Sequence, residues 1–582
     1  MATGREAKGM GVSLVDRVIA RRATRPRRAG ALRVPLEPRS IGSPVTGRQI
    51  LAGDWRFGQA RVVLTPADAP WRDAPDARFA AALHGFGWLD DLAAVGDVEA
   101  RRLAQGLFSD WLDRYGRGRG PGWTPAIAGR RLMAWLHHGS LLLRASDADR
   151  RARFVHAVGG QVRYLAGRAG AAPPGLPRIE ALAAQLMGAL AVDGLGRHAD
   201  SARRALLGEA GSRINADGGI AARNPETLAE MFARLVWVRL ALQQAGQGED
   251  AMLQALLSRI GPVLRGLRHA DGGLPRMQGG GAGREGHLDA ALAEAGLTRR
   301  GAPTRAMGFA RLARGRSTVI VDAAPPPRGR RHATAAHAST LAFDFTTGRR
   351  PVIVQCGSGV RWGADWARSG RETAAHSTLT LQDRPSARFV ADPTGGRDRL
   401  IDGARTVPVQ FTETRAGVQF EGGHDGYVAR TGLTHARGLL LARDGRALRG
   451  EDYLVTLEDA HKRRFDAALA ASPGGLAFAI RFHLHPDVDA ALDADGGGVL
   501  LALRSGDRWR LRPEDPAEVQ LEPSAYLDPG WPEPRATKQV LLAGVAMEYA
   551  TRVRWVLEQV QGAGTAAIRD LVRDDGAVDD WQ

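Results

Sequence analysis

The chain of 582 residues is too long for one ordinary domain, which favours two large domains. Hydrophobic residues make up 44% of it, enough for sizeable cores, and no uninterrupted apolar run is long enough for a transmembrane helix. The formal net charge is +17, and lysine occurs only three times, so the excess is arginine. Guanidinium groups bind carboxylates, sulfates and phosphates in pairs of hydrogen bonds, which suits an acidic polymer as partner. The codon bias of a GC-rich genome is the alternative explanation.

Other classes of protein find little support in the sequence. The single cysteine, Cys356, excludes an internal disulfide framework. No zinc-finger, RNA-recognition or helix-turn-helix spacing is present, so nucleic acid is not the expected partner. The N-terminus has no apolar core typical of a secretory signal, so the sequence by itself predicts a cytoplasmic protein.

The first part of the chain is predicted to be helical. Residues 1–40 are rich in arginine and proline and are expected to form a basic N-terminal arm. From about residue 75 to 300, segments such as EARRLAQGLFSDWLDRYG and PETLAEMFARLVWVRLALQQAG repeat apolar residues at three- and four-residue spacing. Glycine and proline clusters break this pattern at regular intervals. We therefore predict a helical domain over residues 41–308.

The second part is predicted to consist of strands. After about residue 308 the chain contains short, often alternating segments such as STVIVDA, PVIVQCG, GVQFEGG, FAIRFHLHP and GVLLALRSG. Glycine and Asp-Gly turns separate many of them. Such a series over some 270 residues is typical of an antiparallel β-sandwich. The predicted fold class is α+β multidomain, with the sandwich over residues 309–582.

Two histidines in this part are the best candidates for chemistry. His337 begins the run HASTLAFDF, and His376 begins HSTLTLQD. Each precedes an alternating apolar run, so we expect both histidines at the starts of two strands of one sheet. A histidine held at a strand end can face a cleft and transfer a proton or bind a metal ion.

Several motifs, in this order along the chain, resemble the heparinase II/III-like polysaccharide lyases. They are Leu83-His84-Gly85-Phe86-Gly87-Trp88-Leu89, Asp217-Gly218-Gly219 with Arg223-Asn224-Pro225, His337-Ala338-Ser339-Thr340-Leu341, Thr373-Ala374-Ala375-His376-Ser377, His424-Asp425-Gly426-Tyr427 and Phe482-His483-Leu484-His485-Pro486. The resemblance implies an incomplete α/α toroid followed by a β-sandwich. It also implies cleavage of a uronic-acid-containing polysaccharide, such as a glycosaminoglycan, by β-elimination.

The resemblance assigns roles to particular residues. Asn224 matches the asparagine that neutralises the uronate carboxylate, and His337 and His376 match histidines that serve as base or acid. These three are the predicted catalytic residues. The predicted substrate-binding residues are Arg223, Arg371, His424 and Tyr427. The expected partner is an acidic polysaccharide or oligosaccharide, and the family's usual compartment is the periplasm or cell envelope.

The chain also departs from the family pattern at chemically important positions. Pro225 stands where a histidine often follows the asparagine, and Ser339 replaces the aspartate of a His-Ala-Asp motif. Gln355 stands where some members have a zinc-binding carboxylate, and no tyrosine lies between Tyr164 and Tyr427. These departures favour an alternative, a divergent member that binds an anionic glycan without cleaving it. A protein associated with nucleic acid is a third hypothesis, which only the charge supports.

No cofactor is predicted for this chain. His337, Cys356 and His376 together would form a chemically sensible zinc set, since thiolate and imidazole are preferred ligands. Cys356, however, is expected to point to the opposite face of its strand. Zinc therefore stays an open alternative to a site without metal.

Overall fold

A computed structural model describes residues 11–26, 30–33, 37, 39–65, 70–71, 74–297, 301–329, 332–392, 397–528, 530–531 and 533–562. The chain forms two compact units that interleave along the sequence. Unit 1 comprises Met1–Gly218, Thr227–Gly261 and Arg284–Arg299. Unit 2 comprises Gly219–Glu226, Pro262–Gly283 and Arg300–Gln582. Of the predicted N-terminal arm, residues 1–10, 27–29, 34–36 and 38 lie outside the described residues.

The first 300 residues are mainly helical, as the three- and four-residue spacing predicts. The elements are α1 (Leu14–Ala23), α2 (Pro44–Leu51), the hairpin β1 (Asp54–Phe57) and β2 (Ala60–Val63), α3 (Ala77–Gly85), α4 (Trp88–Val95), α5 (Val98–Tyr115), α6 (Pro125–His137), α7 (Gly139–Leu143), α8 (Ala148–Arg168), α9 (Leu176–Ala191), α10 (Ala199–Arg213), α11 (Pro225–Gln244), α12 (Ala251–Leu267) and α13 (His287–Glu294). Short 3-10 turns occupy Ala169–Ala171 and Gly196–His198.

Side-chain caps and aromatic packing define the helices of unit 1. Asp76, Asp97, Thr124 and Asp147 each accept a hydrogen bond from a backbone N–H in the first turn of the following helix. Such caps satisfy donors that have no partner inside the helix. The core is rich in tryptophan, and the buried guanidinium of Arg131 lies 4.3 Å from the ring centre of Trp111 on α5.

Unit 2 consists mainly of strands with three further helices. These elements are β3 (Arg305–Ala306), β4 (Phe309–Arg314), β5 (Ser317–Asp322), β6 (Phe343–Thr347), β7 (Arg350–Val354), α14 (Ala364–Ser369), β8 (Leu379–Leu381), β9 (Arg388–Val390), β10 (Arg399–Asp402), β11 (Val409–Glu413), β12 (Gly417–His424), α15 (Val428–Thr431), β13 (Thr434–Ala442), β14 (Ala447–Val455), α16 (Asp459–Ala470), β15 (Leu476–Leu484), β16 (Val488–Leu492), β17 (Val499–Leu503), β18 (Arg508–Pro513), β19 (Glu518–Tyr526), β20 (Arg535–Ala546) and β21 (Ala550–Gln561). Val360–Trp362 and Thr373–Ala375 form 3-10 turns.

Two large antiparallel sheets make up the sandwich. One sheet has the strand order β11-β12-β13-β14-β21-β18-β17-β16. The other has the order β19-β20-β15-β7-β6-β5-β4-β3, and β8 pairs with β15 at its side. Buried side chains from both sheets form one hydrophobic core, in which the ring of Phe343 on β6 stacks on Trp555 of β21 at 5.8 Å. Alternation along each strand directs apolar residues into this core.

Among the residues that the structure describes, no helix combines the length and the apolar character needed to cross a bilayer.

Candidate functional site

His337 and His376 lie next to each other inside unit 2. His337 sits in the loop that precedes β6, and His376 follows the 3-10 turn before β8. Their rings are joined by a hydrogen bond of 3.1 Å between His337 Nδ1 and His376 Nε2. Both side chains are 0% exposed to solvent. The structure therefore brings the two predicted catalytic histidines together, but encloses them within the chain.

Gln355 fixes the orientation of this pair. Its Nε2 donates to the backbone oxygen of Phe343 at 2.9 Å and to Oδ1 of Asp344 at 2.8 Å. Its Oε1 accepts the backbone N–H of Ser377 at 2.9 Å and lies 3.1 Å from Nδ1 of His376. Because an amide oxygen can only accept, Nδ1 of His376 must carry the proton in this bond.

The tautomers of both histidines follow from that assignment. With its proton on Nδ1, neutral His376 offers the lone pair of Nε2, so His337 must donate from Nδ1. The lone pair of His337 is then on Nε2, a buried atom for which the described residues provide no hydrogen-bond partner. The one free proton-accepting nitrogen of the pair is therefore His337 Nε2.

Burial keeps both rings neutral. It lowers the pKa of His376 to about 3, and the neighbouring His483 adds to this effect. Burial lowers the pKa of His337 well below its usual value, and the nearby His376 and Arg371 lower it further. A charged imidazole would have to give up its hydration in this environment. At neutral pH the pair can accept hydrogen bonds, but it is weakly basic.

A second set of hydrogen bonds holds the backbone of His337. Gln278 Oε1 accepts the N–H of His337 at 3.0 Å, while its Nε2 donates to Asp322 at 2.7 Å and to Ser339 at 3.0 Å. The Ser339 hydroxyl donates to Asp322 Oδ2 at 2.6 Å. Ser339 thus stands where the resemblance expects a carboxylate, and Asp322, the last residue of β5, places a carboxylate beside it.

Arg223 has a structural role in place of the predicted substrate contact. It is buried with a φ of +51°, and its guanidinium has five N–H donors. Its three nitrogens donate five hydrogen bonds to acceptors of the same chain. Those acceptors are the backbone oxygens of Met307, Gly308, Ala324 and Pro325 and the carboxylate of Asp322. No donor is left over for a sugar carboxylate.

Asn224 lies beside the glycine loop that follows Gln278. A Cβ added at Gly280 would come within 2.9 Å of Asn224 Oδ1, and one added at Gly279 would lie 3.2 Å from the backbone oxygen of Ala335. The half-buried Asn224 side chain and the segment leading to His337 therefore both pack against this loop. Pro225 is the first residue of α11, a position where proline is favoured because its missing N–H has no helical partner.

Arg371 supports the segment before His337. Its guanidinium donates to the backbone oxygens of Ala333, Ala336 and Asp398 at 2.8 to 2.9 Å. Burial, followed by neighbouring guanidinium groups, lowers its pKa to about 10. This cation binds the backbone of its own chain, which differs from the predicted contact with substrate.

His424 belongs to a closed chain of hydrogen bonds in the other sheet. Its Nδ1 accepts the N–H of Gly426 at 3.1 Å, and its Nε2 lies 3.1 Å from Nδ1 of His435. Nε2 of His435 lies 2.7 Å from Oδ1 of Asp452. Each nitrogen in this chain has a partner, so His424 stabilises the sandwich and has no free atom for a ligand.

Residues 297–556 match a family model described as "Heparinase II/III-like, C-terminal". Over 553 residues the chain is 34% identical to FtsZ-localized protein C of Caulobacter vibrioides (strain NA1000 / CB15N). The aligned residues cover 92% of this chain and 92% of that protein. The chain belongs to the heparinase II/III-like family.

Solved structures of this family have the same fold. Heparinase III superposes with a TM-score of 0.63 at 11% identity, covering 93% of this chain and 89% of that chain. A heparan sulfate lyase HepC mutant from Pedobacter heparinus superposes with a TM-score of 0.56 at 14% identity, covering 94% of this chain and 88% of that chain. At such identities the likeness concerns the fold alone. It confirms the predicted fold class, an incomplete α/α toroid followed by an antiparallel β-sandwich.

Tyr427, predicted to bind substrate, is engaged with its own chain. Its hydroxyl donates to the backbone oxygen of Leu379 at 2.8 Å, and its ring lies in the sandwich core. Burial raises its pKa. A phenol in this position can neither donate to a leaving group nor contact a sugar without unpacking the core.

The contacts found for the Sγ of Cys356 are with His483 and Ser524, whereas the notional zinc set paired Cys356 with His337 and His376. Its Sγ lies 3.5 Å from Nδ1 of His483 and 3.8 Å from the hydroxyl of Ser524. Burial raises the pKa of its thiol, which disfavours the thiolate that binds metals. Among the residues that the structure describes, no group of three or more histidine, cysteine, aspartate or glutamate side chains is arranged to hold a metal ion.

Sequence reasoning missed three polar residues around the histidines. Gln278 precedes three glycines, Asp322 ends a strand, and Asp344 interrupts the apolar run of β6. A buried polar residue inside an apolar pattern is the signal that could have found Asp344, because such a group requires a partner. Gln278 comes from a distant part of the sequence, and only the fold brings it to His337.

Proposed function

We propose that this chain is a divergent heparinase II/III-like protein that binds an anionic glycan without cleaving it. One observation carries the proposal: the two histidines at the lyase-like positions are fully enclosed and joined to each other. A base that removes the C5 proton must touch the sugar ring. The engaged donors of Arg223 and Tyr427 support the same conclusion. The large arginine excess supports an anionic ligand.

Cleavage of a uronic-acid-containing polysaccharide by β-elimination is the second candidate. The lone pair on His337 Nε2 favours it, since this is the atom that could accept the C5 proton. The amide of Asn224 would then bind the uronate carboxylate. Reaching His337 would require the surrounding loops to open, because its side chain is 0% exposed.

Glycan-array binding at several salt concentrations tests the first proposal. We expect retention of uronate-containing or sulfated oligosaccharides, with binding that weakens as salt screens the charges. Neutral glucans of equal length are the control. Binding to neutral glucans alone, or to no glycan at all, would contradict the proposal.

We further propose that the chain is localised with FtsZ in the cell. The name of the Caulobacter relative, which is similar over 92% of this chain, supports this proposal. A fluorescent fusion imaged together with labelled FtsZ tests it. Coincident signals are expected, with free fluorescent protein as the control. A diffuse fusion in cells with assembled FtsZ would count against it.

A further inference from the structure

The first helix of unit 1, α1, has apolar side chains on its solvent-facing surface. Leu14, Val15 and Val18 are 74%, 52% and 57% exposed. Leu14 is the most exposed large apolar side chain in the described part of the chain. Leu14 and Val18 are four residues apart, so they are neighbours on the helix surface. Single exposed apolar residues are ordinary, but a group of three on one short helix indicates a contact surface.

Arginine side chains flank this apolar strip. With 3.6 residues per turn, Arg17 and Arg21 lie on one side of Leu14 and Arg22 lies on the other. All three arginines are exposed. The ion pairs found among the described residues include none of these guanidinium groups. The acidic residue of α1 is Asp16, which is buried on the opposite side. The outward face of α1 therefore combines apolar and cationic groups.

The inward face of α1 is attached to α8. The carboxylate of Asp16 accepts hydrogen bonds from the hydroxyl of Tyr164 at 3.0 Å and from Nε of Arg168 at 2.7 Å. Nε of Arg163 donates to the backbone oxygen of Ala23 at 2.9 Å. These bonds involve both ends of α1. Because they fix the rotation of the helix, Leu14 and Val18 cannot turn into the core of unit 1.

The helix is formed before any ligand binds. The N–H of Asp16 donates to Oγ of Ser13 at 3.1 Å, and the Asp16 carboxylate accepts the N–H of Ser13 at 3.3 Å. This capping box begins the helix. A helix of ten residues is marginal in water by itself, so the cap and the contacts with α8 both stabilise it. A preformed surface loses less conformational entropy when it binds.

The combination of groups on this face favours an anionic lipid surface over other occupants. Arginines alone would suit any polyanion in water, but a dissolved polyanion gains nothing from burying Leu14 and Val18. A bilayer with anionic headgroups offers an apolar layer and phosphates at adjacent depths. The aliphatic stems of the arginines can lie along the apolar layer while their guanidinium groups reach the phosphates.

We propose that the outward face of α1 binds the surface of a membrane that contains anionic phospholipids. At about 15 Å, a ten-residue helix is roughly half as long as the hydrocarbon layer is thick, so α1 lies in the interface. Leu14 and Val18 enter the boundary of the acyl chains, and Arg17, Arg21 and Arg22 bind phosphates. The helix shares no residue with the histidine pair, and the inference does not rest on glycan binding.

Co-sedimentation of the full chain with large vesicles tests this inference. The vesicles contain equal parts of phosphatidylcholine and phosphatidylglycerol, and vesicles of pure phosphatidylcholine are the lipid control. We expect the wild type to bind the mixed vesicles and not the pure ones. Leu14→Gln/Val18→Gln removes the apolar strip with a residue that favours helix, and Arg17→Gln/Arg21→Gln removes two cations. Each variant should lower the affinity for mixed vesicles tenfold or more.

Matched controls make the same kinds of change at other exposed positions. Val98→Gln/Met252→Gln replaces apolar residues of α5 and α12 that are 45% and 47% exposed. Arg463→Gln/Arg464→Gln neutralises two exposed arginines on α16. Both controls should bind vesicles as the wild type does. All four variants should unfold at the wild-type temperature, because every substituted side chain is exposed.

The outcomes are distinct from those of the glycan tests. Loss of vesicle binding in both α1 variants and in neither control supports the inference. An absence of wild-type binding to mixed vesicles, or equal binding by all variants, overturns it. Loss in the arginine variant alone would show attraction without burial of the apolar strip and would also overturn it. If equilibrium sedimentation finds a dimer that Leu14→Gln/Val18→Gln dissociates, the occupant is a second copy of the chain and the membrane assignment is wrong.

Discussion

The two histidine pairs of unit 2 differ in how their hydrogen-bond donors and acceptors match. In the pair of His424 and His435, donors and acceptors match from the N–H of Gly426 to the carboxylate of Asp452. In the pair of His337 and His376, the same logic leaves a lone pair on His337 Nε2. Buried polar atoms without partners are rare and costly. His337 therefore remains the best candidate for a residual chemical role.

The buried pair should make stability depend on pH. The folded pKa of His376 is about 3, against an ordinary value of 6.5 in the unfolded chain. Between these values the unfolded state binds a proton that the folded state does not. The contribution of this group to stability is therefore complete above pH 6.5 and is lost as the pH falls towards 3.

His376→Asn tests this dependence, because the asparagine amide can replace the Nδ1 donor but does not titrate. Between pH 4 and pH 7 the free energy of unfolding should rise less steeply in the variant. The difference in slope should correspond to the uptake of up to about one proton on unfolding. Urea unfolding at several pH values measures the slope. An unchanged slope would show that His376 is accessible to protons in the folded protein.

Arg223→Ala tests whether Arg223 is structural. The substitution leaves the Asp322 carboxylate, which is 0% exposed, without its cation, so we expect a loss of about 3 kcal/mol in stability. Arg204→Ala, at an exposed position on α10, should cost no more than about 0.5 kcal/mol. Denaturant unfolding compares the two. Equal stabilities would mean that Arg223 is free for a ligand.

Sequence reasoning predicted His337 and His376 as a catalytic pair, and the structure joins their rings by a hydrogen bond, but their environment was not predicted. The catalytic roles of His337, His376 and Asn224 stay predictions. Whether a polar side chain faces a ligand or its own backbone depends on contacts between distant segments, as for Arg223 with the turn before β4. The sequence pattern contains no information of that kind.

At the scale of elements, alternation predicted most strands but misplaced the starts of β6 and β8, which follow His337 and His376 instead of beginning at them. β5 and β17 lie within segments predicted as strands, and β7, β12 and β15 overlap such segments. β6, however, begins at Phe343, six residues after His337, and Leu341 has a φ of +62°. β6 and β8 do belong to the same sheet, as predicted. The loop keeps apolar residues at alternate positions, so periodicity cannot distinguish it from strand.

Gly450 tests the packing of β14 against β21. A Cβ at this position would come within 2.0 Å of the Trp555 ring, which is fully buried. Gly450→Ala should therefore cost about 1–3 kcal/mol through overpacking. Gly438→Ala on β13 is the matched control, since its Cβ would meet only an ordinary contact at 3.9 Å. Equal unfolding midpoints for the two variants would contradict the close packing.

At the scale of the whole molecule, the change of periodicity near residue 308 predicted a helical part followed by a β-sandwich, and the family resemblance implied that the helical part is an incomplete α/α toroid. The predicted division was linear, whereas the compact units interleave. The segments Gly219–Glu226 and Pro262–Gly283 belong to unit 2, and they carry Arg223, Asn224 and Gln278. The sequence alone could not indicate this arrangement, because it depends on contacts between residues about a hundred positions apart.

The absence of cleavage during binding is the central claim, and absorbance of the unsaturated uronate product tests it most directly. The chain is saturated with each uronate oligosaccharide that it binds, and heparinase III with its own substrate serves as the positive control. We expect no rise in absorbance from this chain while the control reacts to completion. A rise that is lost in both His337→Ala and Asn224→Ala would contradict the claim and establish the chain as a lyase.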